Sequence, residues 1–193
     1  MRTMISGVAG VSIIIFIFCG AMSDQQKTST EISDFKYVGV KNCKMCHNRP
    51  NAGRQYELWN ASPHATAYAT LATDKAKEVA SNLGLKNDPQ QEEGCLVCHI
   101  TAHGVPSKNK ASTFTIEEGV SCEACHGPGS AYRNMKVMKD IYENKIDGGD
   151  YGLIEQNEAV CAHCHNEKSP TYRKLDFEHA MQVIAHPVKQ PKQ

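Results

Sequence analysis

A mainly α-helical chain with long loops is the fold class this sequence predicts, on three observations. Apolar residues recur at helical spacing at Ala65, Tyr68, Ala72, Val79 and Leu83, between Ser62-Pro63 and Gly84. No strand pattern of useful length runs anywhere, apart from a short hairpin signal around residues 112–118. Eight of the nine cysteines fall into four copies of one pentad, Cys-x-x-Cys-His, joined by stretches without strong periodicity.

Read in order, the chain opens with Met1-Arg2, an apolar run over residues 5–18, and the small residues Gly20, Ala21 and Ser23. This is the layout of a secretory signal peptide over residues 1–23, with Ala21-Met22-Ser23 as cleavage site and Asp24 as mature start. Two variants stand beside it. Cys19 as a lipidated cysteine is disfavoured by the bulk of Phe18. An uncleaved membrane anchor is disfavoured by a length short of a ~20-residue span. Residues 24–34 are polar and read as a flexible leader, and residues 35–193 as a single domain.

Residues 35–48 carry the first pentad. Residues 53–60 read as a short helix bearing Tyr56 and Trp59. Ser62 as N-cap and Pro63 at the first helical position then open one helix that runs to Gly84. Residues 87–94 are a polar loop before the second pentad. Only 22 residues separate His99 from Cys122, which, with haem at each pentad, predicts that the second and third haems lie close. Residues 132–144 read as a helix, Gly148-Gly149 as a turn, and residues 176–185 as a last helix stopped by Pro187. The gaps of 47, 22 and 34 residues make the pentads repeats of a motif, not of a structural unit.

The pentads carry the chemistry. They are Cys43-Lys44-Met45-Cys46-His47, Cys95-Leu96-Val97-Cys98-His99, Cys122-Glu123-Ala124-Cys125-His126 and Cys161-Ala162-His163-Cys164-His165. Each reads as a c-type haem attachment site. Two thiols add across the haem vinyl groups, and His47, His99, His126 and His165 lie beneath the irons as proximal ligands. Two four-thiolate zinc sites would use the same cysteines but leave the histidine after every pair unexplained. A thioredoxin-like motif would account for one pair, not four. Export agrees, since covalent haem attachment takes place outside the cytoplasm. With 21 basic and 21 acidic residues, no polycationic surface points to nucleic acid. Aromatic residues are only 7% of the chain, so four porphyrins would supply much of the core and the apoprotein should be largely unfolded.

Nine histidines minus four proximal ones leave five for the distal positions. His64, on the first turn of its helix, and His186, at the end of the last helix, are the leading candidates, against a surface role for each. His103, four residues after His99, and His179, seven before His186 and on the same helical face, are further candidates. His163 lies inside the fourth pentad and faces away from that haem. Met45, Met135, Met138 and Met181 could complete a His/Met iron, although methionine more often fills core gaps.

The sequence resembles the tetrahaem cytochrome c-554 family from about Val38 to Pro187. The resemblance rests on the four pentads in similar spacing and on Trp59…Ser62-x-His64-Ala65. It rests also on Gly94-Cys95-Leu96-Val97-Cys98-His99, on the Gly119–Gly129 run Gly-Val-Ser-Cys-Glu-Ala-Cys-His-Gly-Pro-Gly, and on the closing Phe177…His186 segment. It implies a multihaem cytochrome c fold with stacked haem pairs. It also implies electron transfer between redox protein partners, with His64 distal to the third haem, His186 to the fourth, and a five-coordinate second haem. It suggests that Gly127-Pro128-Gly129 lets backbone pass beside a macrocycle. One departure stands out. The family's histidine shortly after Gly-Pro-Gly, which serves the first haem, has no counterpart between His126 and Cys161, and His103 is the natural substitute. An electron carrier, not an enzyme, is expected. The alternatives are reduction of nitric oxide or a related nitrogen oxide at an open iron, and a homo-oligomeric extracellular filament in which a neighbouring copy supplies a ligand.

Overall fold

The computed structural model describes residues 34–186. The signal segment, its cleavage site, Cys19, most of the leader and Pro187 lie outside them. Nine α-helices occur among the described residues: α1 (Val40–His47), α2 (Gln55–Asn60), α3 (Ala67–Thr70), α4 (Asp74–Asn82), α5 (Glu93–His99), α6 (Cys122–His126), α7 (Met135–Tyr142), α8 (Glu158–Ala162) and α9 (Phe177–Ile184). Between them run 3-10 turns and loops. The only β-pairing among the described residues is one parallel bridge, Tyr37 with Lys110. The hairpin expected near residues 112–118 is instead a loop closing on a 3-10 turn, Ile116–Glu118. No helix among the described residues is long and apolar enough to cross a membrane.

Local chemistry explains most boundaries. Asn134 caps α7 by accepting from the Lys136 and Val137 N–H groups, and Asp176 caps α9 by accepting from His179. At the end of α4, Gly84 takes φ 71°, and N–H groups of Gly84 and Leu85 close on the carbonyls of Ser81 and Ala80. These are the two bonds of a Schellman stop.

The helix expected from Ser62 to Gly84 is divided in three. Pro63–Thr66 forms a 3-10 turn, α3 follows for one turn, and α4 starts afresh at Asp74. Threonines make the break. The Thr70 hydroxyl donates back to the Thr66 carbonyl at 2.9 Å and the Thr73 hydroxyl to Thr70 at 2.7 Å. Thr73 then accepts from the Ala76 N–H as the N-cap of α4. Ser62 makes no cap bond; its hydroxyl is buried without a partner. α9 ends at Ile184 and Ala185 is extended, so His186 stands beyond the helix and the face it was expected to share with His179 does not exist.

The protein core is thin. Among the described residues the buried apolar side chains are Val38, Val40, Leu71, Ala80, Ile100 and Tyr132. Buried polar groups sit among them: Gln55, Thr101, Asn109, Ser121 and Glu123. The interior therefore depends on hydrogen bonds between distant segments as much as on apolar contact.

Candidate haem site

Each of the first three pentads ends a helix, α1, α5 and α6, and the fourth begins in α8. One helical turn places two cysteines three apart on the same side, with the histidine beside them. The first and third pentads are joined at their helix starts. Glu123, inside the third pentad and 1% exposed, accepts from Val38 N–H at 2.9 Å, Gly39 N–H at 2.8 Å and Gly129 N–H at 2.6 Å. Glu118 accepts from Val40 N–H at 3.0 Å. Two carboxylates from one segment thus satisfy the open N–H groups at the start of α1, where negative charge is favoured.

The thiols approach in pairs. Cys43 and Cys122 are hydrogen-bond neighbours, a contact that with burial pushes Cys43 up and itself holds Cys122 below its usual value. Burial, followed by the neighbouring Cys98, pushes Cys164 up to about 12. Burial raises Cys125 too, followed by the influence of Cys161 and Cys122. The hydrogen-bonded thiols thus join the first pentad to the third and the fourth to the second. The segments leaving the second pentad and entering the third are bonded to each other, since Thr101 Oγ1 accepts from Ser121 N–H at 2.7 Å and Thr101 N–H donates to the Gly119 carbonyl at 2.9 Å.

All nine histidines are described, and two pairs of rings stand together. His64 lies 6.0 Å from His165, with planes at 79°, and His186 lies 5.9 Å from His126, with planes at 58°. The pairing exchanges the two distal assignments the resemblance implies: His64 faces the fourth pentad and His186 the third. His64 is set there by its own backbone, because its carbonyl accepts from Val120 N–H at 3.0 Å. Trp59 Nε1–H donates to the Val120 carbonyl at 2.9 Å, which ties the Trp59…His64 run to the start of the third pentad. Burial, then His165, lowers the pKa of His64, and burial, then His186 and His47, pulls His126 down to about 4. Both shifts favour the neutral ring at His64 and His126, the form that ligates metal.

The remaining histidines are placed differently. His99 Nδ1–H donates to the Ala67 carbonyl at 2.8 Å, leaving Nε2 as its free nitrogen. His103 Nε2 is held by the Glu93 carboxylate at 2.9 Å, not against His47, so its expected role at the first pentad has no geometric support. His163 and His179 are exposed and stand in neither ring pair.

The residues fit covalent haem. Two imidazoles on opposite faces of one iron hold their ring centres about 6 Å apart, from two metal–nitrogen bonds of ~2 Å plus ~1 Å to each ring centre. Both ring pairs meet that spacing. Among the described residues no three His, Cys, Asp or Glu side chains converge as a ready metal cluster, and their eight cysteines form no disulfide.

Sequence reasoning missed Glu123 and gave Gly-Pro-Gly a different reason. Gly127 has φ 77° and ψ 177°, and a Cβ there would stand 2.3 Å from the Gly152 carbonyl oxygen. Protein backbone demands that glycine. The available signal was the acidic residue lodged between two attachment cysteines.

With this geometry in view, the comparisons with known proteins agree. The family described as cytochrome c554 and c-prime matches residues 42–127. Cytochrome c-554 of Nitrosomonas europaea is 30% identical over 131 residues, covering 62% of this chain and 52% of that protein. The chain thus spans about half the length of the curated relative it matches. A solved structure of the reduced state of cytochrome c554 from Nitrosomonas europaea superposes with a TM-score of 0.52 at 25% identity, over 78% of each chain.

Proposed function

This chain belongs to the cytochrome c554 family, and from that premise we propose that it is an exported tetrahaem c-type cytochrome passing electrons between two redox proteins. Covalent c-type haem and electron carriage come with the family. The count of four, the export and the partners are our reading.

When bound, haem supplies reversible one-electron chemistry. The chain's residues attach, ligate and shield it. Cys43, Cys46, Cys95, Cys98, Cys122, Cys125, Cys161 and Cys164 would form the thioethers. His47, His99, His126 and His165 would be proximal ligands, with His186 distal at the third site and His64 at the fourth. The ring pairs His64–His165 and His126–His186 carry this reading, because each joins a pentad histidine to one outside the pentads at the spacing of two ligands on one iron. We further propose residues 1–23 as the export signal and the periplasm as destination. An intact mass exceeding the mature polypeptide by four haems, with haem colour surviving denaturing electrophoresis, is the test. Three haems or fewer, or bound zinc, would overturn the reading.

Reduction of nitric oxide or a related nitrogen oxide is favoured by one observation: His47 and His99 stand in neither histidine ring pair. High-spin ferric bands and carbon monoxide binding on reduction would support it; a wholly low-spin spectrum would remove it.

A further inference from the structure

The buried carboxylate of Glu123 has no task in ligation or attachment, yet it is among the most completely enclosed side chains described, at 1% exposure. It lies in α6 between Cys122 and Cys125. Oε1 accepts from the N–H groups of Val38 and Gly129, and Oε2 from those of Val38 and Gly39. Val38 and Gly39 lead directly into α1, which carries the first pentad, and Gly129 closes the run after the third. One side chain therefore bonds to segments on both sides of the Cys43–Cys122 contact.

We propose that Glu123 is a positioning residue that fixes the first and third haem segments to each other, and a permanent buried negative charge that holds the reduction potentials of those two haems low. The inference rests on the reading of both pentads as haem sites.

The geometry favours the ionised form. Every partner of the carboxylate is an N–H donor, so a protonated carboxyl would turn its O–H against a donor or leave it unpaired. Burial, the largest influence, holds its pKa above the usual carboxylate value, while the N–H groups of Gly129, Val38 and Gly39 and the charge of Arg133 act downward; the donor-only surroundings are what favour the anion. Among the described residues no ion pair neutralises it. A buried anion beside two irons favours their ferric state, since the charge is poorly screened in a low-dielectric interior. Net charge, burial and hydrogen bonding are the protein's means of setting haem potential.

The experiment compares exported holoprotein carrying Glu123→Gln, Glu123→Asp and Glu118→Gln with wild type. Intact mass counts the haems, and a potentiometric titration followed optically and by electron paramagnetic resonance reads the potentials. Glu123→Gln should keep the wild-type haem count while two of the four potentials move upward together and the other two stay. Glu123→Asp, which retains the charge, should remain near wild type. Glu118→Gln, bonded to one N–H and half-buried, should shift less. A Glu123→Gln protein with full haem load and a superimposable titration overturns the charge role, as does an equal shift in Glu118→Gln. If Glu123→Gln fails to load haem, Glu123→Asp decides: full loading at wild-type potentials supports the proposal, and failure of both overturns the charge in favour of shape alone. Absence of haem from wild type would refute the haem reading itself, a separate outcome visible in the mass.

Discussion

His186 stands 5.9 Å from His126, and its Nδ1–H donates to the Ile184 carbonyl at 2.9 Å, so Nε2 is the nitrogen left free. A ring held by its own backbone two residues back needs no helix beneath it. The extended Ala185 carries it away from α9 toward the third pentad. His186→Ala should leave all haems attached, because the thioethers do not depend on it. It should convert the third-pentad haem to a high-spin form that binds carbon monoxide when reduced. His64→Ala should do the same at the fourth pentad, and the double change should open both. Paramagnetic nuclear resonance, with haem methyls assigned through contacts to the pentad residues, identifies which haem opens. A spectrum left wholly low-spin by either change would make that residue a surface histidine, and opening of the opposite haem would reverse the pairing.

What the sequence made legible was local. The pentads and the stop at Gly84 are set by residues within a turn of where they act, and were read as such; the caps Asn134 and Asp176 are as local, yet both residues were placed inside helices read from 132 and 176. The division of the helix expected from Ser62 to Gly84 was not legible. Thr70 and Thr73 fit a helix as well as they break one, and only their hydroxyl bonds decide. The Glu123 clamp was out of reach for another reason. Its bonds to Val38 and Gly39 span about 85 positions, and no periodicity encodes such a pair. The exchange of His64 and His186 between pentads has the same origin, since both are placed by the path of distant loops.

Trp59→Phe should test how firmly His64 is held. The change keeps a smaller aromatic ring but removes the Nε1–H bond to Val120, whose N–H holds the His64 carbonyl. Loss of one hydrogen bond to a backbone carbonyl costs about 1 kcal/mol, or roughly 2–4 °C in a chain of this size. Thermal melting of the holoprotein followed in the Soret band should show that drop, with high-spin character at the fourth-pentad haem appearing below the main transition. An unchanged melt would show that the Trp59–Val120 bond does not anchor the segment.

Gly127→Ala and Gly104→Ala separate two reasons for a glycine. Both have positive φ, 77° and 72°, but a Cβ at Gly127 would meet the Gly152 oxygen at 2.3 Å, while at Gly104 nothing lies within 4 Å. Gly104→Ala should cost only the strain of its backbone angle, about 1 kcal/mol. Gly127→Ala adds a backbone clash to a conformation almost confined to glycine, together more than ~3 kcal/mol. Denaturant unfolding of the two holoproteins should show at least a twofold difference in destabilisation. Equal losses would mean that the segment around Gly152 gives way freely.

The thin core leads to a prediction about haem removal. Six apolar residues form the buried set among those described, and the carboxylate bonds linking the first and third pentads are satisfied only when both segments are already in place. Haem attachment at all four pentads would supply the missing burial and cross-link distant segments, so folding and loading should be one event. The chain from Asp24, produced in a cytoplasm that does not attach haem, should lack a cooperative thermal transition and near-ultraviolet structure, and should be cut rapidly by protease. The exported holoprotein should melt cooperatively and resist the same protease. A haem-free chain with a sharp melting transition would show that the hydrogen bonds of Glu123, Glu118 and Thr101 are enough to hold the fold without its cofactor.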